Sequence, residues 1–200
     1  CPSLKVSSFT NSSASGYGDY CFSYSFDSSI TSLKFVGRTF GTGMLSNITA
    51  TNLNSIMILT EASYNTQKVL KKGAFSGIST NSSFSVSAYS NTYSSGKVIV
   101  EERSFANSNI KIIEFGIYRT LGYQGGGFEL GDYVFSGDNM LQRVDLTNLQ
   151  MPSNITSGQV ENYFAISAHT FSSIGTQPSV EVPYSSNHTI LQAVSQYFGS

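Results

Sequence analysis

The segment Ser83-Phe84-Ser85-Val86-Ser87-Ala88 alternates strictly between hydroxyl-bearing and apolar side chains. Successive side chains of an extended strand point to opposite faces, so one face would carry Phe84, Val86 and Ala88 and the other only serines. Residues 21–26 repeat this alternation with Phe22, Tyr24 and Phe26. The pattern predicts half-buried β-strands whose outer faces are covered with hydroxyl groups.

Nine further apolar runs have the length and composition of strands, which brings the predicted total to about eleven. They are residues 4–9, 33–40, 55–60, 97–105, 110–118, 133–135, 141–146, 163–171 and 180–182. Clusters of Gly, Ser, Asn and Asp between these runs favour tight turns. This pattern predicts an all-β protein, and we expect an antiparallel β-sandwich of the jelly-roll or immunoglobulin-like type.

Two segments compete as short helices instead of strands. In residues 65–72, Asn65 and Thr66 could cap a helix that stops at Gly73. In residues 190–198, the apolar side chains recur at helical spacing. No internal repeat and no linker are evident, so we predict a single domain over residues 1–200, in which residues 1–21 could form a disulfide-tethered N-terminal arm.

The polar composition points to a location outside the cell. Ser, Thr, Asn and Gly make up 84 of 200 residues, whereas only 12% are charged and the net charge is -1. An almost uncharged surface does not resist association in the way that the charged surface of a typical soluble domain does. The balance gives no basic field for nucleic acid, and no apolar stretch approaches the roughly 18 residues of a transmembrane helix.

The two cysteines favour the same compartment. A bridge between Cys1 and Cys21 would close a loop worth roughly 3 kcal/mol in the chain-entropy model. Such a bridge would persist in an oxidising environment, so we predict this disulfide. Two alternatives remain at this point, namely a pair of free thiols, or a processed chain whose Cys1 carries a lipid.

Five Asn-x-Ser/Thr sequons are candidate N-glycosylation sites. They lie at Asn11, Asn47, Asn81, Asn154 and Asn187, none with proline in the middle position. The first four fall in polar turns between apolar runs, and Asn187 follows two serines, so each position could accommodate a bulky sugar. Covalent glycans are therefore part of the prediction.

No pattern of residues indicates a reaction. His169 and His188 are the only histidines, and no Gly-x-Ser-x-Gly elbow accompanies them. Glu101 and Glu102 are adjacent and would point to opposite faces of a strand, so they cannot act as a catalytic pair. Asp132 and residues 137–139 lack the spacing of a calcium-binding loop. The two histidines and two cysteines offer no tetrahedral set of zinc ligands. We therefore predict no enzyme activity, no cofactor and no metal.

These features favour an extracellular structural or adhesive glycoprotein whose copies associate with one another in a filament, coat or matrix. A terminal strand could add to the sheet edge of the next copy, and Leu4, Val6 and Phe9 are the candidate side chains of that exchanged strand. The alternative is a lectin-like module that binds a carbohydrate or a cell-surface partner through loops rich in Tyr and Asn.

Overall fold

Short parallel β-strands build the computed structural model of the chain, which describes residues 5–10, 16–22, 26–60, 67–91, 97–118, 127–149 and 157–182. In chain order the strands are β1 (Ser8–Thr10), β2 (Ser32–Gly37), β3 (Thr39–Phe40), β4 (Ser55–Thr60), β5 (Lys68–Leu70), β6 (Phe84–Asn91), β7 (Val98–Val100), β8 (Ile110–Tyr118), β9 (Phe128–Leu130), β10 (Arg143–Asp145), β11 (Phe164–Ile166) and β12 (Ser179–Glu181). A 3₁₀ turn (Thr147–Leu149) and one helical turn, α1 (Ser157–Val160), precede β11.

From β2 to β12 the chain visits two sheets in turn. The first sheet has the order β1-β2-β4-β6-β8-β10-β12, and the second has the order β3-β5-β7-β9-β11. Strands that are neighbours in a sheet are thus one circuit of the chain apart, and all ten pairs are parallel. A chain that stacks each circuit on the previous one in this way is a parallel β-solenoid, and each circuit is one coil.

The expected antiparallel β-sandwich is therefore wrong. Alternation of apolar and polar residues identifies a strand and its buried face, but it carries no information about which strand pairs with it or in which direction. Met57 faces Ser87 in the next coil, 30 residues later, and the chain crosses to the second sheet between them. The partners are thus joined by a crossover, whereas a sandwich would join many of its pairs by hairpins.

A third side of the solenoid, here called the turn face, consists of residues 43–47, 73–77, 103–107, 133–137 and 169–173. Backbone hydrogen bonds join these segments from coil to coil at every second residue. Gly43 N–H donates to Lys72 O at 3.1 Å, Leu45 N–H to Ala74 O at 2.8 Å and Asn47 N–H to Ser76 O at 2.9 Å. The turns are therefore as regularly paired as the two sheets.

Phenylalanine side chains fill the interior beneath the turn face. Phe75 stacks on Phe105 with ring centroids 5.6 Å apart, Phe105 on Phe135 at 5.8 Å, and Phe135 on Phe171 at 5.3 Å. Phe75, Phe105 and Phe135 are at most 1% exposed. This ladder continues the core of each coil into the core of the next, which makes neighbouring coils depend on each other for burial.

The structure also tests several predictions about individual segments. β4 and β8 have the predicted bounds, and Phe84, Val86 and Ala88 of β6 are all buried. Within residues 65–72, the part that the structure describes contains strand β5 and not a helix. The second helix candidate, residues 190–198, lies outside the described residues.

Candidate functional site

Two columns of residues in the left-handed backbone conformation run along the turn face. The first column has φ values of 51° to 63° and contains Tyr20, Gly43, Gly73, Arg103 and Tyr133; the second has values of 54° to 77° and contains Asn47, Gly77, Asn107, Gly137 and Ser173. Positive φ is costly for every residue except glycine, with Asn the best tolerated of the others. The repetition of this conformation fixes the shape of each turn.

Asparagine and glycine alternate in the second column because the side chain of one coil covers the backbone of the next. A methyl group on Gly77 would overlap the side-chain oxygen of Asn47, and a methyl group on Gly137 would overlap that of Asn107. The first column has a related contact, in which the Tyr20 ring covers Gly43. Glycine at Gly77 and Gly137 therefore leaves room for the asparagine side chain of the preceding coil.

An open groove of about 840 Å³ lies along the outer side of the second sheet and the adjoining turns. The apolar part of its wall includes Ile99 and Ala165, which occupy outward positions on β7 and β11. Glu101, Glu129 and Asp132 add carboxylates along the same wall. Because the wall is both apolar and acidic, the groove could contact an apolar ligand that carries hydroxyl or cationic groups.

The groove carboxylates are held by contacts within the chain. Glu102 accepts a hydrogen bond from Lys72 Nζ at 2.9 Å, and this bond holds the pKa of the Glu102 carboxyl below its usual value. Glu101 accepts the Lys72 backbone N–H at 3.0 Å, Asp132 accepts a hydrogen bond from the Ser167 hydroxyl, and Glu129 lies 3.6 Å from Lys97 Nζ. Among the described residues, no group of three or more His, Cys, Asp or Glu is arranged to hold a metal ion.

Lys68 is the most unusual titratable group of the interior. Its side chain is 0% exposed, and Nζ donates a hydrogen bond to Ser90 Oγ at 2.7 Å. Burial lowers the pKa of Lys68 from 10.5 to about 8. A lysine beside a serine hydroxyl can activate that hydroxyl as a nucleophile, but Ser90 is also 0% exposed, so a substrate could reach it only if the coil opened.

Asp138 anchors the turn between two coils from inside the protein. Its carboxylate accepts the Ile110 N–H at 2.9 Å and the Met140 N–H at 3.0 Å. Burial raises the pKa of Asp138 to about 6, in spite of these hydrogen bonds. The contacts give Asp138 a structural role in the turn between two coils.

On the outer face of the first sheet, Glu114 collects hydrogen bonds from three side chains. Ser87 Oγ donates at 3.0 Å, and Tyr89 OH and Asn148 Nδ2 donate to the other carboxylate oxygen. Four side chains from β6, β8 and the 3₁₀ turn after β10 are thereby tied together. These hydrogen bonds use both oxygens of the Glu114 carboxylate.

The structure contradicts the predicted disulfide. Cys21 is an exposed free thiol, and Cys1 lies outside the described residues. The backbone around Cys21 is held without a covalent link, because Tyr20 N–H donates to Thr42 O at 3.0 Å and Phe22 N–H donates to Met44 O at 2.9 Å. The prediction had no geometric basis, since it rested on composition and on loop closure.

Most other predicted positions are only partly described. Of the candidate exchanged strand, Val6 is 52% exposed, whereas Phe9 stacks on Phe35 at 5.1 Å. Asn47 and Asn81 are exposed. The remaining candidates lie outside the described residues; they are Leu4, Asn11, Asn154 and Asn187. The ring of His169 stacks on that of Tyr133, with ring centroids 5.7 Å apart.

The sequence analysis missed the internal repeat. The turn face contains Gly43-Met-Leu-Ser, Gly73-Ala-Phe-Ser, Arg103-Ser-Phe-Ala, Tyr133-Val-Phe-Ser and His169-Thr-Phe-Ser, and successive copies are 30, 30, 30 and 36 residues apart. A fixed period of this length is the sequence signature of a solenoid. The available signal was the small residue, Ser or Ala, that follows the Leu or Phe of each segment. The high serine content of the whole chain hides this signal.

Neither helical turn among the described residues is long and apolar enough to cross a membrane. Comparison of the chain with protein-family models, with curated proteins and with solved structures finds no match.

Proposed function

We propose that the chain is a structural, adhesive protein that associates with copies of itself outside the cell. In this proposal the stacked coils form a stiff framework, and contacts at the sheet edges join one copy to the next. The role is mechanical and not catalytic. The most unusual buried groups support this view, because Lys68 and Asp138 are both 0% exposed and are bonded to neighbouring parts of the fold.

The open strand edges at both ends of the solenoid carry the proposal. Within the described residues, β1 and β12 are the terminal strands of the first sheet. Ser179 N–H donates to Gln142 O and Glu181 O accepts from Leu146 N–H, so the alternate residue Val180 directs its N–H and C=O away from β10. At the other end, Lys34 N–H donates to Ser7 O, so Ser8 directs its C=O away from β2. Such edges are templates for pairing with another chain.

The proposed location and glycans have weaker support of the same kind. Asn47 and Asn81 are exposed, so sugars could be attached there without entry into the core. Secretion from a glycosylating host should give a protein whose mass falls after enzymatic deglycosylation, and Asn81→Gln should remove one part of that fall. An unchanged mass would rule out glycans at these positions.

Sedimentation over a range of protein concentrations tests self-association. The weight-average mass should rise above the 21.6 kDa of one chain as concentration increases. Val180→Pro removes the outward N–H at the β12 edge and should weaken association, whereas Val180→Thr keeps that N–H and serves as the matched control. A wild-type mass that stays at one chain throughout would contradict the proposal.

The groove along the second sheet favours one alternative, the binding of a carbohydrate or a cell-surface partner. Its volume is within the range of ligand sites, and Glu101 and Asp132 could accept hydrogen bonds from sugar hydroxyls. Calorimetric titration with a set of oligosaccharides tests this function. Ile99→Trp would fill the groove from an outward position and should abolish binding, while no heat of binding in the wild type would dismiss the alternative.

A further inference from the structure

We infer that copies of the chain join head to tail, with the β12 end of one copy on the β1 end of the next, and that opposite charges on the two ends select this orientation. The inference rests on the proposed self-association and specifies its geometry. It depends on three features of the described residues, namely the direction of the strands, the apolar side chains at the two ends, and the distribution of charge along the solenoid.

Strand direction permits head-to-tail growth without a change in the pairing. Every strand pair in both sheets is parallel, and the coils are stacked in chain order from β1 to β12. A second copy placed on β12 with the same direction therefore continues the first sheet as another parallel pair. A head-to-tail contact of this type leaves the same two ends exposed after each addition, so it propagates.

Both ends of the solenoid expose part of the core. Eight hydrophobic residues pack against the core while remaining partly exposed; Phe9, Tyr17 and Phe22 lie at the β1 end, and Tyr163, Phe171, Ile174, Val180 and Val182 lie near the β12 end. Each inner coil covers its neighbours, whereas among the described residues an end coil has a neighbouring coil on one side only. Stacking of a second copy would bury apolar surface of both groups together, which favours association.

Charge is distributed unevenly along the same axis. The described residues up to position 83 contain six Lys and Arg and two Asp, a net charge of +4, whereas those from position 84 onward contain four Lys and Arg and nine Asp and Glu, a net charge of -5. The overall charge of -1 hides this asymmetry. Contacts between two β1 ends or between two β12 ends would bring like charges together, and the head-to-tail contact brings opposite charges together.

Two exposed residues of opposite charge lie on the first sheet, one near each of its ends. Lys34 is the register partner of Ser8 on β1, and Glu181 is in β12. Adjacent strands are about 4.8 Å apart, so addition of a copy at β12 would place its Lys34 two spacings, or about 10 Å, from β12 of the first copy. Long side chains can span much of that distance, and water can span the rest.

Charge reversal distinguishes this geometry from other forms of association. Lys34→Glu alone and Glu181→Lys alone should each weaken association by about fourfold at low salt, because each replaces a weak attraction across about 10 Å with a repulsion of the same size. An equimolar mixture of the two variants should regain the wild-type mass, since their contacts then pair opposite charges in both directions. Lys97→Glu makes the same change of charge beside β7, the central strand of the second sheet, and should have no effect. Circular dichroism checks that all variants fold.

The outcomes separate the inference from the proposed function. If the wild type associates but neither end variant weakens it, or if the mixture does not recover, self-association stands and the head-to-tail geometry is refuted. If the wild type does not associate, both fail. Residues 183–200 are the competing occupant of the β12 end, and Leu191→Asp tests them in the full chain. Association that appears only in this variant would show that the chain covers its own end, which also refutes the inference.

Discussion

Replacement of Gly77 by alanine should destabilise the solenoid more than the same change at Gly73 or at Gly18. Gly77 has a φ of +65°, and a methyl group there would overlap the side-chain oxygen of Asn47 in the preceding coil. The substitution therefore combines a strained backbone with a steric conflict between coils. Two other glycines separate these effects, because Gly73 has the strained backbone without an overlap with the preceding coil, and Gly18 has neither.

The left-handed conformation costs a residue with a Cβ roughly 1–2 kcal/mol, and alanine recovers about 0.4–1 kcal/mol through the smaller entropy of its unfolded chain. Gly73→Ala, whose new Cβ would lie 3.2 Å from Ser76 Oγ, should thus lose about 1 kcal/mol. At Gly77 the side chain of the exposed Asn47 must also turn away from the new methyl group, which adds about 0.5–1.5 kcal/mol, the cost of an off-rotamer side chain. Gly18→Ala meets no atom within 4 Å and should change stability by less than about 0.5 kcal/mol.

Urea unfolding followed by circular dichroism measures these free energies, provided that the slope against urea is the same for all variants. The expected order of destabilisation is Gly77 above Gly73 above Gly18. Asn47→Gly in the Gly77→Ala background removes the overlapping side chain and should recover part of the loss. Equal effects at Gly77 and Gly73, or no recovery in the double variant, would refute the argument from coil-to-coil approach.

Three other substitutions test the interior. Lys68→Met should raise the free energy of unfolding at pH 7 by about 1–3 kcal/mol. The wild type should lose stability as the pH falls from 10.5 through about 8, and the variant should not show this loss in urea titrations across that range. Asp138→Ala leaves the Ile110 N–H without its acceptor and should lower the melting temperature. Because the raised pKa of Asp138 favours the folded state at low pH, the difference in stability between wild type and variant should shrink as the pH rises from about 4 through about 6. Phe105→Ala should cost about 3–5 kcal/mol in urea, against almost nothing for the exposed Val6→Ala; similar losses for the two would contradict the stacked core.

The strands could be predicted from the sequence where burial alone determines the pattern. β6 lies between two other strands of the first sheet, with Phe84, Val86 and Ala88 inward and serines outward, and a period of two is sufficient to recognise it. β7 and β11 were predicted as longer strands, 97–105 and 163–171, because the apolar residues of the following turn continue the same run. The chain bends there through left-handed residues such as Arg103, and nothing in that side chain signals a bend.

The pairing of the strands could not be obtained from the same pattern. Parallel and antiparallel strands bury the same alternating faces, and only long-range information distinguishes them. The repeat would have supplied that information, but its key backbone position is occupied by Gly73, Arg103 and Tyr133 in successive coils, so no single residue type is kept throughout. The disulfide and the function were inferred from composition, which reports on the environment of a protein and not on its contacts.

The acidic half of the solenoid connects the internal energetics with the proposed assembly. Glu114, Asp145 and Glu181 are register partners on adjacent parallel strands, and like charges in such positions repel. Three features reduce this repulsion. Glu114 accepts hydrogen bonds from the side chains around it, Asp145 accepts hydrogen bonds from Thr147, and Glu181 lies 3.2 Å from Arg143 on β10. On the outer side of β12, the described residues provide no further cation. In the proposed assembly, a basic β1 end placed there would reduce the repulsion within the column, so the charges that oppose stacking inside one chain would favour the stacking of a second chain upon it.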